Sequence, residues 1–446
     1  MRMSSAKPSY LIVGAGVFGV STAYHLIKKY PDRSVTIVDR DAYDADSRCA
    51  ASWDWNKVVR ADYDDLVYCR MTIEAQDVFK SDPLWKPYFH ETGIYWMCRS
   101  DYAQNVIDNY KKLGRKADIK AYPVEEAKKL YGGLFADADY TDVKEVLVNK
   151  TSGWGAAGDC LRAVTKECLK LGVKYAVEEV QGLKLDKDGR CVGVKTSNGE
   201  HTASHVILST GAYTPKLLEI CAEREGRPNL SAGSRILAAG IATGMVTLDE
   251  KSFPRFKNMP VGMQGYDAKQ GPFLGSLPPT PDREIKWWGS RIFTNTYEIM
   301  PGRYVSAPPD RSDYGQWDVH DNLKEDIGHV SDVFYGKQRP SWKYEKHRIC
   351  WDAFTTSSDF IISPHAASPG LYIATCGNFH GWKFFPVLGR YVVQMLEDDL
   401  EPELKEKWAW DRIRPDPAPN AEYPRHEMRT LKAQPLRGDQ PLRAKL

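Results

Sequence analysis

The sequence predicts a mixed α/β fold, in which a parallel sheet carrying a nucleotide-binding turn is joined to a second unit built on a mostly antiparallel sheet. Three observations predict it. A short apolar run, Leu11-Ile-Val, feeds the G-x-G-x-x-G turn of Gly14, Gly16 and Gly19. A second run, Ser34-Val-Thr-Ile-Val, ends in the carboxylate of Asp39. From about Ala222 to Lys346 the composition shifts to proline, aromatics and alternating strands.

In the first motif, Gly14 permits a tight turn, Gly16 lets the backbone approach a phosphate, and Gly19 lets the helix expected over Val20 to Lys29 pack close to the strand. Asp39 follows Gly14 by about twenty-five residues, near the spacing of an acid that accepts hydrogen bonds from ribose hydroxyls. Strand, glycines, helix, strand and acid in that order point to dinucleotide binding. An ordinary glycine-rich βα turn is the alternative for the first motif alone.

At 446 residues the chain is long enough for two or more cores. Sixty-one basic and fifty-nine acidic residues leave a net charge of +2, so no global field draws it to nucleic acid or anionic lipid. No apolar run approaches the roughly twenty residues that a spanning helix requires, and Met1 to Ser9 is too short and polar for a signal peptide; neither a spanning nor a secreted protein is expected. Nine cysteines without a C-x-x-C pair argue for reduced thiols in an intracellular compartment, and against a disulfide framework or a metal site. The sequon Asn149-Lys150-Thr151 then reads as chance. The ending Ala444-Lys445-Leu446 is close to the S-K-L peroxisomal address, with an arbitrary end to a polar tail as the alternative.

Along the chain, Asp44 to Asp65 has no apolar period and is rich in groups that bind a polar ligand, which reads as a loop crossing the cofactor. Trp53 and Trp55 argue against a merely solvated connection. Helices are expected over Leu66 to Phe79, Tyr102 to Leu113 and Val124 to Tyr131, with a strand from Phe89 to Met97. A helix over Cys160 to Leu171 follows the small-residue run Gly153 to Gly158, and Asp188-Gly189 signals a hairpin within Leu183 to Val194. The buried run from His205 ends in Gly211-Ala212, a small-residue turn closing over the same cofactor. Arg348 to Phe354 and Leu371 to Gly377 return the chain to the first sheet, a helix follows over Arg390 to Glu397, and the tail after Trp410 reads as extended over the surface. The expected units are 1–85, 150–221 and 347–400 for the cofactor, 86–149 and 222–346 for the substrate, and 401–446 as a C-terminal tail.

From Tyr10 to about Trp410 these motifs resemble the FAD-dependent amine oxidases of the monomeric sarcosine oxidase and fructosyl amino acid oxidase (amadoriase) group, with the fungal pipecolate and saccharopine oxidases. The resemblance rests on Gly14 to Gly19 with Asp39, on Asp54-Trp-Asn-Lys57, Ser152-Gly153-Trp154 and Ser209-Thr-Gly211-Ala212. It rests equally on Glu284-Ile-Lys286, Arg348-Ile-Cys350-Trp-Asp and Gly381-Trp-Lys383-Phe. It implies a Rossmann-like FAD-binding domain of the glutathione-reductase/DAO type beside a mostly antiparallel substrate domain.

By that resemblance FAD is held by Gly14, Gly16, Val17, Phe18, Gly19, Asp39 and Arg40, by Ser52, Asn56 and Lys57, by Gly211 and Ala212, and by Gly381, Trp382 and Lys383. Cys350 matches the cysteine joined through sulfur to the flavin 8α-methyl; a buried core cysteine is the alternative. Lys286 matches the catalytic lysine near flavin N5 that favours reaction with O₂, and a strand-edge lysine or one stacked on indole is its alternative. Lys383 matches the lysine that meets a substrate carboxylate, against a snorkelling surface lysine. Asp54 and His380 are the other expected substrate-side residues.

Two departures bear on the substrate. His380 stands where the fructosyl oxidases carry an arginine, and Trp287 to Phe293 replaces their acidic stretch after the lysine. A sugar-specific pocket is therefore not expected, and the implied reaction is oxidation of a secondary amine in an N-substituted or cyclic amino acid, releasing H₂O₂. Deglycation of fructosyl amino acids and an FAD amine dehydrogenase using another acceptor are the alternatives; a flavoprotein scaffold and an NAD-dependent dehydrogenase are weaker rivals. The expected partners are a small amine and O₂, with a peroxisomal import receptor if the terminal tripeptide is read, and the chain is expected to act as a monomer without nucleic acid, membrane or metal.

Overall fold

The computed structural model describes residues 7–265, 273–310, 316–338, 342–412 and 423–433. Six strands form the first sheet, in the order Ile361–Pro364, Leu371–Thr375, His205–Leu208, Tyr10–Val13, Val35–Asp39 and Lys174–Val177. All neighbours run parallel except the first pair. Tyr10–Val13 is buried at every position, as a central strand covered on both faces requires.

The helix Val17–Lys29 starts at the glycine turn, three residues earlier than its apolar period suggests, and packs against Ala157–Lys170 and Phe385–Leu396. The approach is close. A Cβ on Gly19 would lie 1.9 Å from the Gly14 carbonyl oxygen, and one on Gly389 would lie 2.0 Å from that of Ser21. The Ser21 hydroxyl bridges the second contact, accepting from Gly389 N–H at 2.7 Å and donating to the Phe385 carbonyl at 2.7 Å.

The second sheet has nine strands. Lys346–Phe354 lies at one edge, followed by Leu237–Thr247, Glu284–Thr294, Leu274–Leu277, Val261–Gln264, Ile94–Cys98, Glu145–Asn149 and Ile119–Tyr122, with His426–Glu427 beside Glu284–Thr294. It is antiparallel apart from the pairs Ile94–Cys98 with Val261–Gln264 and Glu284–Thr294 with His426–Glu427. The helix Asp321–Tyr335 covers one face. A small third sheet, Asn56–Val59, Gly153–Ala156 and Phe89–His90, lies outside both.

Several elements differ from the sequence reading. Within the expected loop Asp44 to Asp65, Asn56–Val59 is a strand, formed by pairing with Gly153–Ala156, so its order comes from a partner distant in sequence. The run from Phe89 divides into Phe89–His90 and Ile94–Cys98 in different sheets, with Gly93 at φ 86° between them. Val124 to Tyr131 divides into the helix Val124–Ala127 and a 3-10 turn Leu130–Gly133. Arg348 to Phe354 pairs with Leu237–Thr247 of the second sheet and not with the first. The tail is not wholly extended over the surface: His426–Glu427 joins the second sheet and Met428–Ala433 is helical. The tripeptide Ala444-Lys445-Leu446 lies outside the described residues.

Gly389→Ala places a methyl group against the Ser21 carbonyl, so the two helices must separate. The expected cost is about 1–3 kcal/mol, read as a lower thermal midpoint. An unchanged midpoint would contradict the close approach.

Candidate active site

The glycine turn opens into a cavity of about 490 Å³. Gly14, Gly16, Val17 and Phe18 form its floor beside Asp39 and Arg40, and Gly211 and Ala212 face them from the second small-residue turn. Gly14 has φ 101°, and a Cβ there would meet the Ser209 carbonyl at 2.5 Å, so this corner of the cavity requires glycine on both counts. Asp39 accepts from Ala15 N–H at 2.6 Å and pairs with Arg48 at 3.2 Å. Ser52 accepts from Val17 N–H at 2.9 Å, the first turn of a helix that carries no acidic residue there. Ser52, Lys57, Cys350, Gly381 and Trp382 complete the expected set in this cavity. Gly19 lies in the helix contact instead, while Asn56 and Lys383 line a second cavity.

That second cavity, of about 560 Å³, adjoins the first, and Lys57, Cys350, Phe379 and Trp382 line both. Lys286, Lys383, His380 and Arg60 line it, as do Asp64, Asp65, Asp359, Glu406 and Lys407. Lys407 bridges Asp65 at 2.8 Å and Asp359 at 3.1 Å. The shared wall is assembled from separate sheets. Lys57 comes from the small sheet, opposite Gly155, and the missing side chain at Gly155 admits the Trp382 ring, which a Cβ would meet at 2.4 Å. Cys350 and Lys286 come from the strands flanking Leu237–Thr247, opposite Ile241 and Met245.

Behind this wall lies a buried charge cluster. Asp54 receives Lys286 Nζ at 2.6 Å and Lys57 Nζ at 2.7 Å, with the Arg348 guanidinium at 3.6 Å. Asp54 and Arg348 have side chains 0 % exposed, and Lys286 2 %, so solvent reaches the cluster only at Lys57, which is 21 % exposed. Burial alone would raise the Asp54 pKa, but Lys286, Lys57 and Arg348 outweigh it and hold the carboxyl well below its usual range. Burial lowers Lys286 to about 8 in spite of Asp54, with Lys57 and Arg348 adding to the depression. Lys57 is raised: burial opposes its charge, and Asp54 prevails. Lys57 Nζ also lies 3.5 Å from Cys350 Sγ. Asp54 itself lines neither cavity and lies next to the second one through its partners Lys286 and Lys57, which do line it.

His380 and Lys383 meet at Tyr63. His380 Nε2 is 3.0 Å from the Ser358 carbonyl and must carry the proton there, which leaves Nδ1 to accept from Tyr63 O–H at 2.9 Å. Lys383 Nζ donates to the same Tyr63 oxygen at 3.1 Å and to the His380 carbonyl at 2.9 Å. Burial, with Lys383 nearby, pushes His380 well below the ordinary histidine range, so it is neutral and presents no charge to an anion. The approach to His380 is strained, with Cys376, Asn378 and Phe379 at φ 70°, 47° and 56°. Asp352 accepts from Phe379 N–H at 2.9 Å, and Asn378 accepts from Thr355 N–H at 2.8 Å, fixing the turn.

Sequence reasoning did not single out Tyr63 or assign Arg60 a role. The Arg60 guanidinium lies 4.3 Å from the Tyr63 ring centroid and 4.7 Å from that of Trp96. The signal for Arg60 was its place among the polar and charged groups of Asp44 to Asp65, which does not say which of them reach the cavity.

A dinucleotide cradle that shares a wall with a substrate-sized cavity defines a cofactor-dependent oxidoreductase. Residues 9–395 match the family described as DAO, FAD dependent oxidoreductase, and the chain belongs to it. L-saccharopine oxidase of Schizosaccharomyces pombe is 25% identical over 435 residues, covering 90% of this chain and 92% of that protein. Monomeric sarcosine oxidase of an Arthrobacter species is 22% identical, covering 88% of this chain and 93% of that protein. In fold, the chain is similar to a thermally stable mutant of a fructosyl peptide oxidase, with a TM-score of 0.80 at 21% identity, over 98% of this chain and 100% of that one.

The cradle fits FAD. Gly14 and Gly16 bring backbone to the cavity surface, and the helix N-terminus beside them suits a pyrophosphate. Among the described residues, the buried donors Ser209 Oγ, Trp351 Nε1 and Trp382 Nε1 have no protein hydrogen-bond partner, and all three residues line this cavity. Among the described residues no helix is long and apolar enough to cross a membrane.

Proposed function

We propose that the protein is an FAD-dependent oxidase of a secondary amine in an N-substituted or cyclic amino acid, of the sarcosine, pipecolate or saccharopine kind. The observation that carries this reading is the wall of Lys57, Cys350 and Trp382 shared by the cofactor and substrate cavities, with Lys286 beside it. Bound FAD supplies the two-electron acceptor and passes those electrons to O₂. In the net reaction the amine loses two hydrogens to O₂, giving an imine and H₂O₂, and water splits the imine to a carbonyl compound and a primary amine.

On this reading Lys383 holds the substrate carboxylate by a charge-assisted hydrogen bond, supported by Arg60 on the same cavity. The neutral His380–Tyr63 pair fixes the Lys383 ammonium. Lys286 presents positive charge where electrons leave for O₂. Cys350, with Lys57 3.5 Å from its sulfur, is proposed as the covalent attachment to the flavin. The six-stranded unit holds FAD and the nine-stranded unit carries the substrate. A peroxisomal address at Ala444-Lys445-Leu446 would place peroxide formation beside its removal, which fluorescent fusions with and without Leu446 test.

A peroxidase-coupled screen of sarcosine, pipecolate, saccharopine, N-methyl amino acids and fructosyl amino acids tests the activity. Stoichiometric peroxide from one of the first four classes is expected. Turnover of fructosyl substrates alone would favour deglycation, and flavin reduction without peroxide would favour a dehydrogenase. The flavin should stay with acid-precipitated protein and be released to the supernatant in Cys350→Ala; free FAD from the wild type would refute the covalent link. Lys286→Met should slow reoxidation by O₂ on the order of 10²-fold, while anaerobic reduction by substrate suffers less. Lys383→Met should do the reverse, weakening substrate binding at nearly normal reoxidation, and stopped-flow measurement of both half-reactions separates the two.

A further inference from the structure

We propose that Asp54 is the counter-ion that keeps the Lys286 ammonium charged inside the protein, a positioning residue for the oxygen-facing step and not a substrate contact. This rests on the role given to Lys286 above. Lys286 is on a strand of the second sheet, 2 % exposed, and its other recorded acceptor is the Asn56 carbonyl at 3.1 Å. A single neutral carbonyl does not replace the hydration of an ammonium.

The charged groups that face Lys286 come from three segments. Asp54 comes from the loop before Asn56–Val59, Lys57 from that strand, and Arg348 from Lys346–Phe354. Two of these three repel the ammonium, so its charge depends on the third. Asp54 is held to that task by its backbone, its Oδ1 accepting from Trp55 N–H at 2.9 Å and its carbonyl accepting from Gly158 N–H at 2.7 Å. The remaining imbalance, three cations against one carboxylate, keeps the shared wall positive.

The sign of the pH dependence follows. Lys286 is protonated below its pKa of about 8, so reoxidation by O₂ should be fast at neutral pH and fall as the pH rises through that value. Without Asp54 the fall should begin at lower pH, because the charged form loses its one attractive neighbour.

The test uses the FAD-loaded protein with ¹⁵N- and ¹³C-labelled lysine, the Lys286 signal being assigned by its loss in Lys286→Met. Asp54→Asn should lower the Lys286 titration midpoint by about 1 unit or more and slow reoxidation at pH 7 by about tenfold. Asp54→Glu should restore most of both. If Asp54→Asn alone does not fold, Asp54→Asn/Lys57→Met is compared with Lys57→Met, since this pair leaves fewer unmatched cations; a lower midpoint in the double variant supports the proposal. A midpoint unmoved by loss of the carboxylate overturns it. Unchanged reoxidation in Lys286→Met would instead overturn the role of Lys286 and leave the Asp54 coupling to be judged by its titration.

Discussion

Asp54 and Lys286, 2.6 Å apart and closed off from solvent, join parts of the chain that no local signal connects. Asp54 belongs to the segment that leaves the nucleotide cradle, Lys57 to the small sheet, and Lys286 and Arg348 to the nine-stranded sheet. Their charges can be buried only together, because any one of them alone would face the full cost of leaving water. The requirement fixes how the small sheet lies against the large one, and thereby where Cys350, Lys57 and Trp382 form a wall with a cavity on each side.

Positive charge beside that wall is held in two groups. His380 is kept neutral by burial and by Lys383, so beside it the second cavity presents positive charge through Lys383 and Arg60, at positions set by hydrogen bonds and ring contacts. The neighbouring cluster carries its positive charge at Lys286, which lines the same cavity, and at Lys57, which belongs to the wall itself. Different partners hold the two lysines, Tyr63 for Lys383 and Asp54 for Lys286, and the proposed function gives them different half-reactions.

The first sheet was legible in the sequence because its strands are short apolar runs closed by turns that need small residues. Gly14 to Gly19, Asp39 and Gly211-Ala212 meet around one cavity, Gly19 serving the packing of the helix. The strand Asn56–Val59 was not legible, since its pairing partner lies about a hundred residues away and its own residues have no alternation. Asp54 was found by resemblance without its partners, because a motif reports which residues occur together and not which lysine a carboxylate meets. Arg348 to Phe354, expected in the first sheet, joins the second, because a buried apolar strand reads alike whichever sheet accepts it.

The most direct test of a positive wall is the two-electron midpoint potential of FAD bound to the Cys350→Ala protein, where no covalent bond contributes. Three cations, two of them buried, against one carboxylate should stabilise the more negative, reduced form. The account predicts a potential more positive than that of free FAD. A potential equal to or more negative than that of free FAD would contradict it.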